Sequence, residues 1–373
     1  MDFREVDFCR CFVPVKALFA KGPTIVIETQ THMEKEIFES PRVLKRFLAK
    51  QWEALARAAE AIRGHRPRFI ILAARGTSDN AGAYARYLIE KDWGIPVSLA
   101  APSIMTLYGS KVDYSQGLVV GISQSGEGPD VCQIIHDARS QGALTVGVTN
   151  NPKSKLSKEA EYTIYLEAGL EKSVAATKTY TSELMALYGL VQCVVKGRKV
   201  RRELSVLPRL VEQGCRLSSA VWDSSYRFLH LNSCVVVGRG FHYGLAQETA
   251  LKLKECAQVM AHAYSTADFH HGPKTLAGKD FPVILLAPAG PTLKGTLELL
   301  DELVERQAMV VAFSPLRQVL KKATLPLETP GGEEVLSPMG MAPMLQTLAL
   351  AVAIAKGLDP DKPPFLKKIT QTR

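Results

Sequence analysis

The chain has 373 residues, 46% of them hydrophobic and 22% charged, with a net charge of +9. That length allows about two to three domains with sizeable cores, and the balance is that of a globular protein rather than a disordered or fibrous one. Seven scattered cysteines (9, 11, 132, 193, 215, 234 and 256), odd in number and without a CxxC pair, exclude a zinc knuckle and a disulfide framework and fit a reducing cytoplasm.

Residues 1–32 mix Phe, Cys and Val with Lys and Pro in no clear period, and lack the apolar core and cleavage site of a signal peptide. Met33 opens an amphipathic stretch, so the segment before it reads as an extension ahead of the natural start. Residues 33–63 predict two helices, the second opened by Pro41. Strands are predicted at 69–74, 96–100, 117–122, 145–149 and 162–166, with helices at 80–91 and 130–141. A long helix runs to about 195, a basic linker covers 197–202, and a helical stretch reaches 223. The pattern then restarts. Strands are predicted at 233–238, 281–287 and 309–313, a turn at 239–244, and helices at 245–259, 293–307 and 343–356; a Pro-rich tail starts at Asp359. Strands alternating with helices imply parallel β-α-β units in doubly wound sheets, and the two halves repeat one plan at a spacing of roughly 165 residues. No apolar run reaches the ~18 residues of a membrane span, so no membrane partner is expected. The basic clusters at 63–68 and 196–202 lack interleaved aromatics, a helix-turn-helix pattern and zinc ligands. They predict a solvated surface that attracts anionic metabolites, not nucleic acid.

Chemistry concentrates in two places. Ser123-Gln124-Ser125-Gly126-Glu127-Gly128 lies between the strand at 117–122 and the helix at 130–141. The first N–H groups of a helix lack intrahelical partners and the dipole is positive there, so small residues and hydroxyls at such a turn suit a phosphate monoester. An ordinary Ser-rich N-cap is the alternative. A second polar turn, Gly76-Thr77-Ser78-Asp79, falls at the carboxyl end of the first strand, where ligands bind in doubly wound sheets. The other place is Glu248, Lys252 and Glu255, spaced i, i+4, i+7 on one helical face, followed by Tyr264, Asp268, His270, His271-Gly272-Pro273 and Lys274. An internal ion pair on a solvated face is the plain reading of the first three; a carboxylate and a loop histidine near a phosphate site also suit general acid–base work. Adjacent histidines face opposite ways on an extended chain, so a metal site is not expected. Gly238-Arg239-Gly240-Phe241-His242-Tyr243-Gly244 follows a strand like a dinucleotide fingerprint, but its GxGxxxG spacing is one residue too long and no acidic residue follows a second strand, so a nicotinamide cofactor is not expected either.

Taken together, Arg75-Gly-Thr-Ser78, Ser123-Gln-Ser-Gly-Glu127, Ser173-Val-Ala-Ala-Thr-Lys178, Ala250-Leu-Lys-Leu-Lys-Glu255, His271-Gly-Pro273 and the tail Asp361-Lys-Pro with Leu366-Lys-Lys368 resemble, in family order, the tandem sugar isomerase (SIS) domains of the isomerase part of glucosamine-6-phosphate synthase. The resemblance covers 33–373 and implies two flavodoxin-like α/β/α SIS domains, at 33–195 and 223–358, joined by a connection at 196–222 and closed by a tail at 359–373. It implies that Thr77, Ser78, Ser123, Gln124 and Ser125 hold a sugar phosphate, with Gly126, Val174, Ala176 and Lys252 also at the substrate. Glu255 is expected to move a proton between C1 and C2, His271 of a neighbouring subunit in a homodimer to open the ring, and Lys368 to lie near C2, where it can form a Schiff base with a ketose. No metal or organic cofactor is called for. The synthase also carries an N-terminal glutaminase domain with a terminal cysteine nucleophile; only 32 residues precede the SIS region here and Cys9 and Cys11 are not terminal, so glutamine-driven amination is not expected. Gly128 stands where the synthase turn ends in Thr, and Leu170 where a proline is usual. Arg75-Gly-Thr-Ser-Asp-Asn80, Ser125-Gly-Glu-Gly-Pro-Asp130 and Pro363-Pro-Phe-Leu366 look more like SIS-type glucosamine-6-phosphate deaminases. The expected reaction is hydrolysis of glucosamine 6-phosphate to fructose 6-phosphate and ammonia. The alternatives are a deaminase or isomerase of another sugar phosphate, such as galactosamine 6-phosphate or a fructosamine phosphate, and a non-catalytic sugar-phosphate sensor.

Overall fold

The computed structural model describes residues 30–366 and 368; most of the 1–32 extension, with Cys9 and Cys11, and Lys367 of the tail motif lie outside the described residues. The first half comprises α1 (His32–His65), β1 (Phe69–Ala73), α2 (Thr77–Trp93), β2 (Val97–Leu99), α3 (Ser103–Thr106), β3 (Gly117–Ser123), α4 (Pro129–Ser140), β4 (Leu144–Thr149), α5 (Lys155–Glu159), β5 (Tyr162–Tyr165) and α6 (Lys178–Lys196). Two connecting helices follow, α7 (Arg201–Leu204) and α8 (Leu207–Asp223). The second half runs β6 (Ser233–Val237), α9 (Phe241–Ala257), β7 (Met260–Tyr264), α10 (Thr266–His270), β8 (Pro282–Leu286), α11 (Leu293–Glu305), β9 (Met309–Ser314), α12 (Arg317–Leu320), β10 (Leu325–Glu328) and α13 (Ser337–Ala355).

Each half builds one five-stranded, all-parallel sheet. The orders are β2-β1-β3-β4-β5 and β7-β6-β8-β9-β10, the same doubly wound topology twice. Central strands such as β3, Gly117-Leu-Val-Val-Gly-Ile-Ser123, are buried on both faces, so they read as continuous apolar runs. One apolar cluster runs through both halves, from Met33, Leu44 and Phe47 on α1 through Tyr180 and Leu184 on α6 to Met344 and Leu348 on α13. Smaller clusters around Ile135 and around Leu299 pack the outer faces of the two sheets.

Four sequence expectations need correction. Residues 33–63 form one helix, with Pro41 inside it. An interior proline frees the carbonyl four residues back; here that is Ile37 O, and the Cys215 thiol of α8 takes it up at 3.8 Å. The expected turn at 239–244 ends at Gly240, since Phe241–Gly244 form the first turn of α9. Strands β7 and β10 were not anticipated. Lastly, α13 starts at Ser337, not 343, and is by length and composition apolar enough to cross a membrane; 89% of that window is buried inside the fold, where it packs on α8 and α9.

The basic clusters are largely engaged locally. Arg198 makes a bidentate pair with Glu53, Arg201 stacks over Trp52, and Arg63 donates to Cys193 O.

Candidate active site

Helices α2 and α9 cross in close contact, and that crossing assembles the site. Gly244 makes it possible: a Cβ there would lie 2.5 Å from Asn80 O and 3.0 Å from Tyr84 N. The third glycine of the fingerprint-like stretch therefore serves helix packing. The contact brings the buried face Glu248–Lys252–Glu255 against the N-terminus of α2.

On this face Lys252 is 1% exposed, and its ammonium donates to Thr77 Oγ1 at 2.9 Å and to Glu255 Oε2 at 2.6 Å, with Glu248 Oε1 at 3.2 Å. A lysine has three N–H donors, and here each has a protein acceptor. Burial works against its charge, but the carboxylates of Glu248 and Glu255 overcome this and hold its pKa above the usual ammonium range. Glu248 also accepts from Thr77 Oγ1 at 3.2 Å and Asn80 Nδ2 at 2.8 Å; burial pushes its carboxyl up to about 6 even so. The solvated-face reading of this motif is overturned: two of its three charged groups are fully buried.

The cavity in front of this face has a volume of about 310 Å³. Thr77 and Ser78, in the first turn of α2, line one side together with Ser123, Gln124 and Ser125 from the turn after β3. Gly76 caps α2 at φ 54°, and no side chain among the described residues caps the first N–H groups of that helix. In the facing turn, Gly126 N donates to Ser123 Oγ at 3.1 Å and Glu127 N to Ser125 Oγ at 3.3 Å. Those hydroxyl oxygens act as acceptors toward the backbone, so their protons remain free to point at a ligand. Arg75 joins the two turns through Asp130 at 2.6 Å. Lys252 and Glu255 line the floor, Val174 and Ala176 another wall, and Leu366 and Lys368 of the tail complete the lining.

Two expected site residues do not line the cavity. Gly126 lies beneath its turn, where a φ of 66° and a Cβ only 2.3 Å from Ser154 Oγ would exclude any side chain. His271 is exposed at the C-terminal end of α10, away from the cavity of its own chain.

Sequence reasoning missed Glu183 and Glu171, and it named Asp361 in the tail motif without giving it a role. Glu183 lines the cavity from α6, accepts from Ser78 Oγ at 2.7 Å, and is pushed up to about 8 by burial. Its signal is a lone charge between Lys178 and Lys196. Glu171 is fully buried. Burial would raise its pKa, but Lys368 at 3.0 Å and hydrogen bonds from Thr177 N and Thr179 Oγ1 lower it on balance. Lys368 also donates to Ser173 O at 2.7 Å. Upstream, Asp361 accepts from His32 N at 2.6 Å and Met33 N at 2.9 Å, and so fastens the tail to the N-terminus of α1.

Comparison with known proteins places this architecture. The SIS domain model matches residues 65–192 and again 228–356. The chain is 32% identical over 349 residues to the glutamine–fructose-6-phosphate aminotransferase (isomerizing) of Aquifex aeolicus, and 30% identical over 341 residues to that of Pyrococcus horikoshii. In both cases the match takes in 90% of this chain and 57% of the relative, so the chain spans little more than half the length of the curated relatives it matches. Among solved structures, the C-terminal domain of glucosamine-fructose-6-phosphate aminotransferase from Francisella tularensis superposes with a TM-score of 0.81 at 30% identity, over 89% of this chain and 98% of that one. A glucosamine-6-phosphate deaminase from Thermotoga maritima shares the fold, with a TM-score of 0.70 at 21% identity over 92% of this chain and 100% of its own. Matched twice along its length, the chain belongs to the SIS domain family as a tandem of two such domains.

Proposed function

We propose that this protein converts glucosamine 6-phosphate and water to fructose 6-phosphate and ammonia. The observation that carries the reading is the pairing, across one cavity, of hydroxyl-bearing turns at Thr77–Ser78 and Ser123–Ser125 with the buried Lys252–Glu255 pair and the tail lysine Lys368. The α2 N-terminus and the serine hydroxyls suit the phosphate, and holding it there fixes the sugar carbons near Glu255. After ring opening, Glu255 takes the proton from C2 and returns it to C1. The aldose amine becomes a C2 imine, which water hydrolyses to the ketose and ammonia. Lys252, with its donors engaged, acts through Glu255 by holding it oriented; Lys368 is assigned to the C2 group. Ring opening is assigned to His271 from a second copy of the chain in a homodimer. Residues 33–195 and 223–358 form the two SIS domains, and the tail from residue 359 closes the cavity through Leu366 and Lys368; residues 367 and 369–373 lie outside the described residues.

The test is ammonia and fructose 6-phosphate release from glucosamine 6-phosphate without glutamine, beside a reaction of fructose 6-phosphate with glutamine. Equal amounts of both products in the first arm support the deaminase. Glucosamine 6-phosphate formed only in the second arm overturns it in favour of the amination direction. Binding of the sugar phosphate with no turnover in either arm points to another sugar substrate or to a sensor.

A further inference from the structure

Glu183 is the one charged side chain between Lys178 and Lys196 on α6, and it is 1% exposed. Its Oε1 accepts from Ser78 Oγ at 2.7 Å. Its Oε2 is buried and has no hydrogen-bond partner among the described residues, although the residue lines the cavity. No cation among the described residues forms an ion pair with it. On α9, Lys252 is shared between Glu248 and Glu255; in the loop before α6, Glu171 takes Lys368; from α1, Glu36 and Glu39 face Lys178; on α2 it meets Ser78; on its own helix, Tyr180.

The protonation state of Glu183 decides what Ser78 can offer. As a carboxylate, Glu183 holds the Ser78 proton, and Ser78 presents only lone pairs to the cavity. As a carboxylic acid, it donates to Ser78 Oγ, and the Ser78 O–H is free to donate outward. A dianionic phosphate at the α2 N-terminus also disfavours a second anion close by. We propose that Glu183 is a positioning residue that carries a proton whenever the sugar phosphate is bound, donating it to Ser78 Oγ and releasing the Ser78 hydroxyl to the phosphate. Where free Glu183 is ionised, binding therefore takes one proton from solvent. Burial, which pushes this carboxyl up to about 8, places the onset of that exchange at mildly alkaline pH. The inference rests on the sugar-phosphate reading above, which sets the phosphate at Ser78.

Calorimetric titration with fructose 6-phosphate at pH 7 to 9.5 tests it, because a phosphate monoester with a second pKa of about 6 stays dianionic throughout. Wild-type affinity should fall above the pKa of Glu183, approaching tenfold per pH unit, and buffers of different ionisation enthalpy should show close to one proton taken up per ligand at about pH 9. In Glu183→Gln the amide donates to Ser78 Oγ without titrating, so affinity should stay flat at the low-pH wild-type value with no proton uptake. A wild type with flat affinity and no uptake overturns the proposal, as does a variant that keeps the slope. If the variant does not fold, the wild-type proton count decides. Absence of fructose 6-phosphate binding at every pH sinks the sugar-phosphate reading and this inference with it; binding without proton uptake sinks this inference alone.

Discussion

Glu255 is 22% exposed in its side chain, faces the cavity, and is gripped from behind by a fully buried lysine. A carboxylate so held presents its other oxygen to whatever occupies the cavity, which is the arrangement a proton carrier needs. In Glu255→Gln the shape and the Lys252 contact persist while the basic oxygen is lost. Turnover is expected to fall by about 10²–10⁴-fold, with fructose 6-phosphate affinity changed by less than about threefold; calorimetry beside a product assay reads both, and undiminished turnover removes Glu255 from the mechanism. Glu183 makes a separate prediction about stability. Its carboxyl is held up to about 8 in the fold, against about 4.3 in an unfolded chain. Between those values the folded state keeps a proton that the unfolded chain has released, so stability from this group is lost as pH rises through the window. The buried His242, held down to about 3, works the other way, since its contribution is lost as pH falls below that of a free imidazole; it is common to both proteins and cancels in a comparison. The stability advantage of Glu183→Gln over wild type should therefore widen by up to about 1.4 kcal/mol per pH unit between about pH 4.5 and 8, then level off. Denaturant midpoints at several pH values read this gap, and a constant gap means that Glu183 is ionised in the fold.

The site depends on how closely α2 and α9 approach, since the bonds from Asn80 and Thr77 to Glu248 and from Lys252 to Thr77 all cross that contact. Gly244→Ala puts a methyl 2.5 Å from Asn80 O and 3.0 Å from Tyr84 N, both backbone atoms that cannot swing aside. The helices must separate. We expect a loss of about 1–3 kcal/mol and a larger loss of turnover than that destabilisation explains. Gly64, exposed near the end of α1 with open space around its Cβ position, is the control: Gly64→Ala should gain about 0.5–1 kcal/mol with activity intact. Chemical denaturation with a parallel assay separates the two. The elements that build the site were also those legible in the sequence, because strands buried on both faces, such as β3, cannot be mistaken for loops. The missed strands are edges. β10, Leu325-Pro-Leu-Glu328, carries a proline that sequence rules take as a strand breaker, but with β9 on only one side an edge strand tolerates the missing N–H. β7, Met260-Ala-His-Ala-Tyr264, lacks β-branched residues and has one neighbour, β6. Pro41 predicted a helix start because the sequence does not show that a thiol from α8 will serve the freed Ile37 carbonyl. Glu183 escaped notice for a related reason: its partner, Ser78, lies 105 residues away and meets it only in the fold.

At the scale of the molecule, the two halves share a topology and even a backbone detail, since Gly76 and Gly240 cap α2 and α9 with nearly the same dihedral angles, φ 54° and ψ −128° against φ 60° and ψ −128°. The strand registers set Ser123-Gln124-Ser125-Gly126 opposite Ala287-Pro288-Ala289-Gly290 in the second half, where the glycine is kept and the hydroxyls are gone. There the Glu334 carboxylate fills the space beside Gly290 and Gly240, accepting from Thr292 Oγ1 at 2.6 Å. One half thus presents the anion-ready turns and the other contributes α9 with Glu255 and, at the end of α10, the exposed His271. This division explains why His271 is missing from the cavity of its own chain and gives the homodimer proposal a quantitative test. If His271 serves the cavity of a partner, a mixed dimer of Glu255→Gln and His271→Ala chains holds one cavity with both defects and one with neither. Random exchange makes about half of all dimers mixed, so two nearly inactive proteins, unfolded and refolded together, should recover about a quarter of wild-type turnover. If His271 acts within its own chain, each cavity of a mixed dimer keeps one defect and the mixture stays as inactive as its parts. If His271→Ala alone retains wild-type turnover, the residue has no part in ring opening, and the group that opens the sugar must be sought among those already facing the cavity.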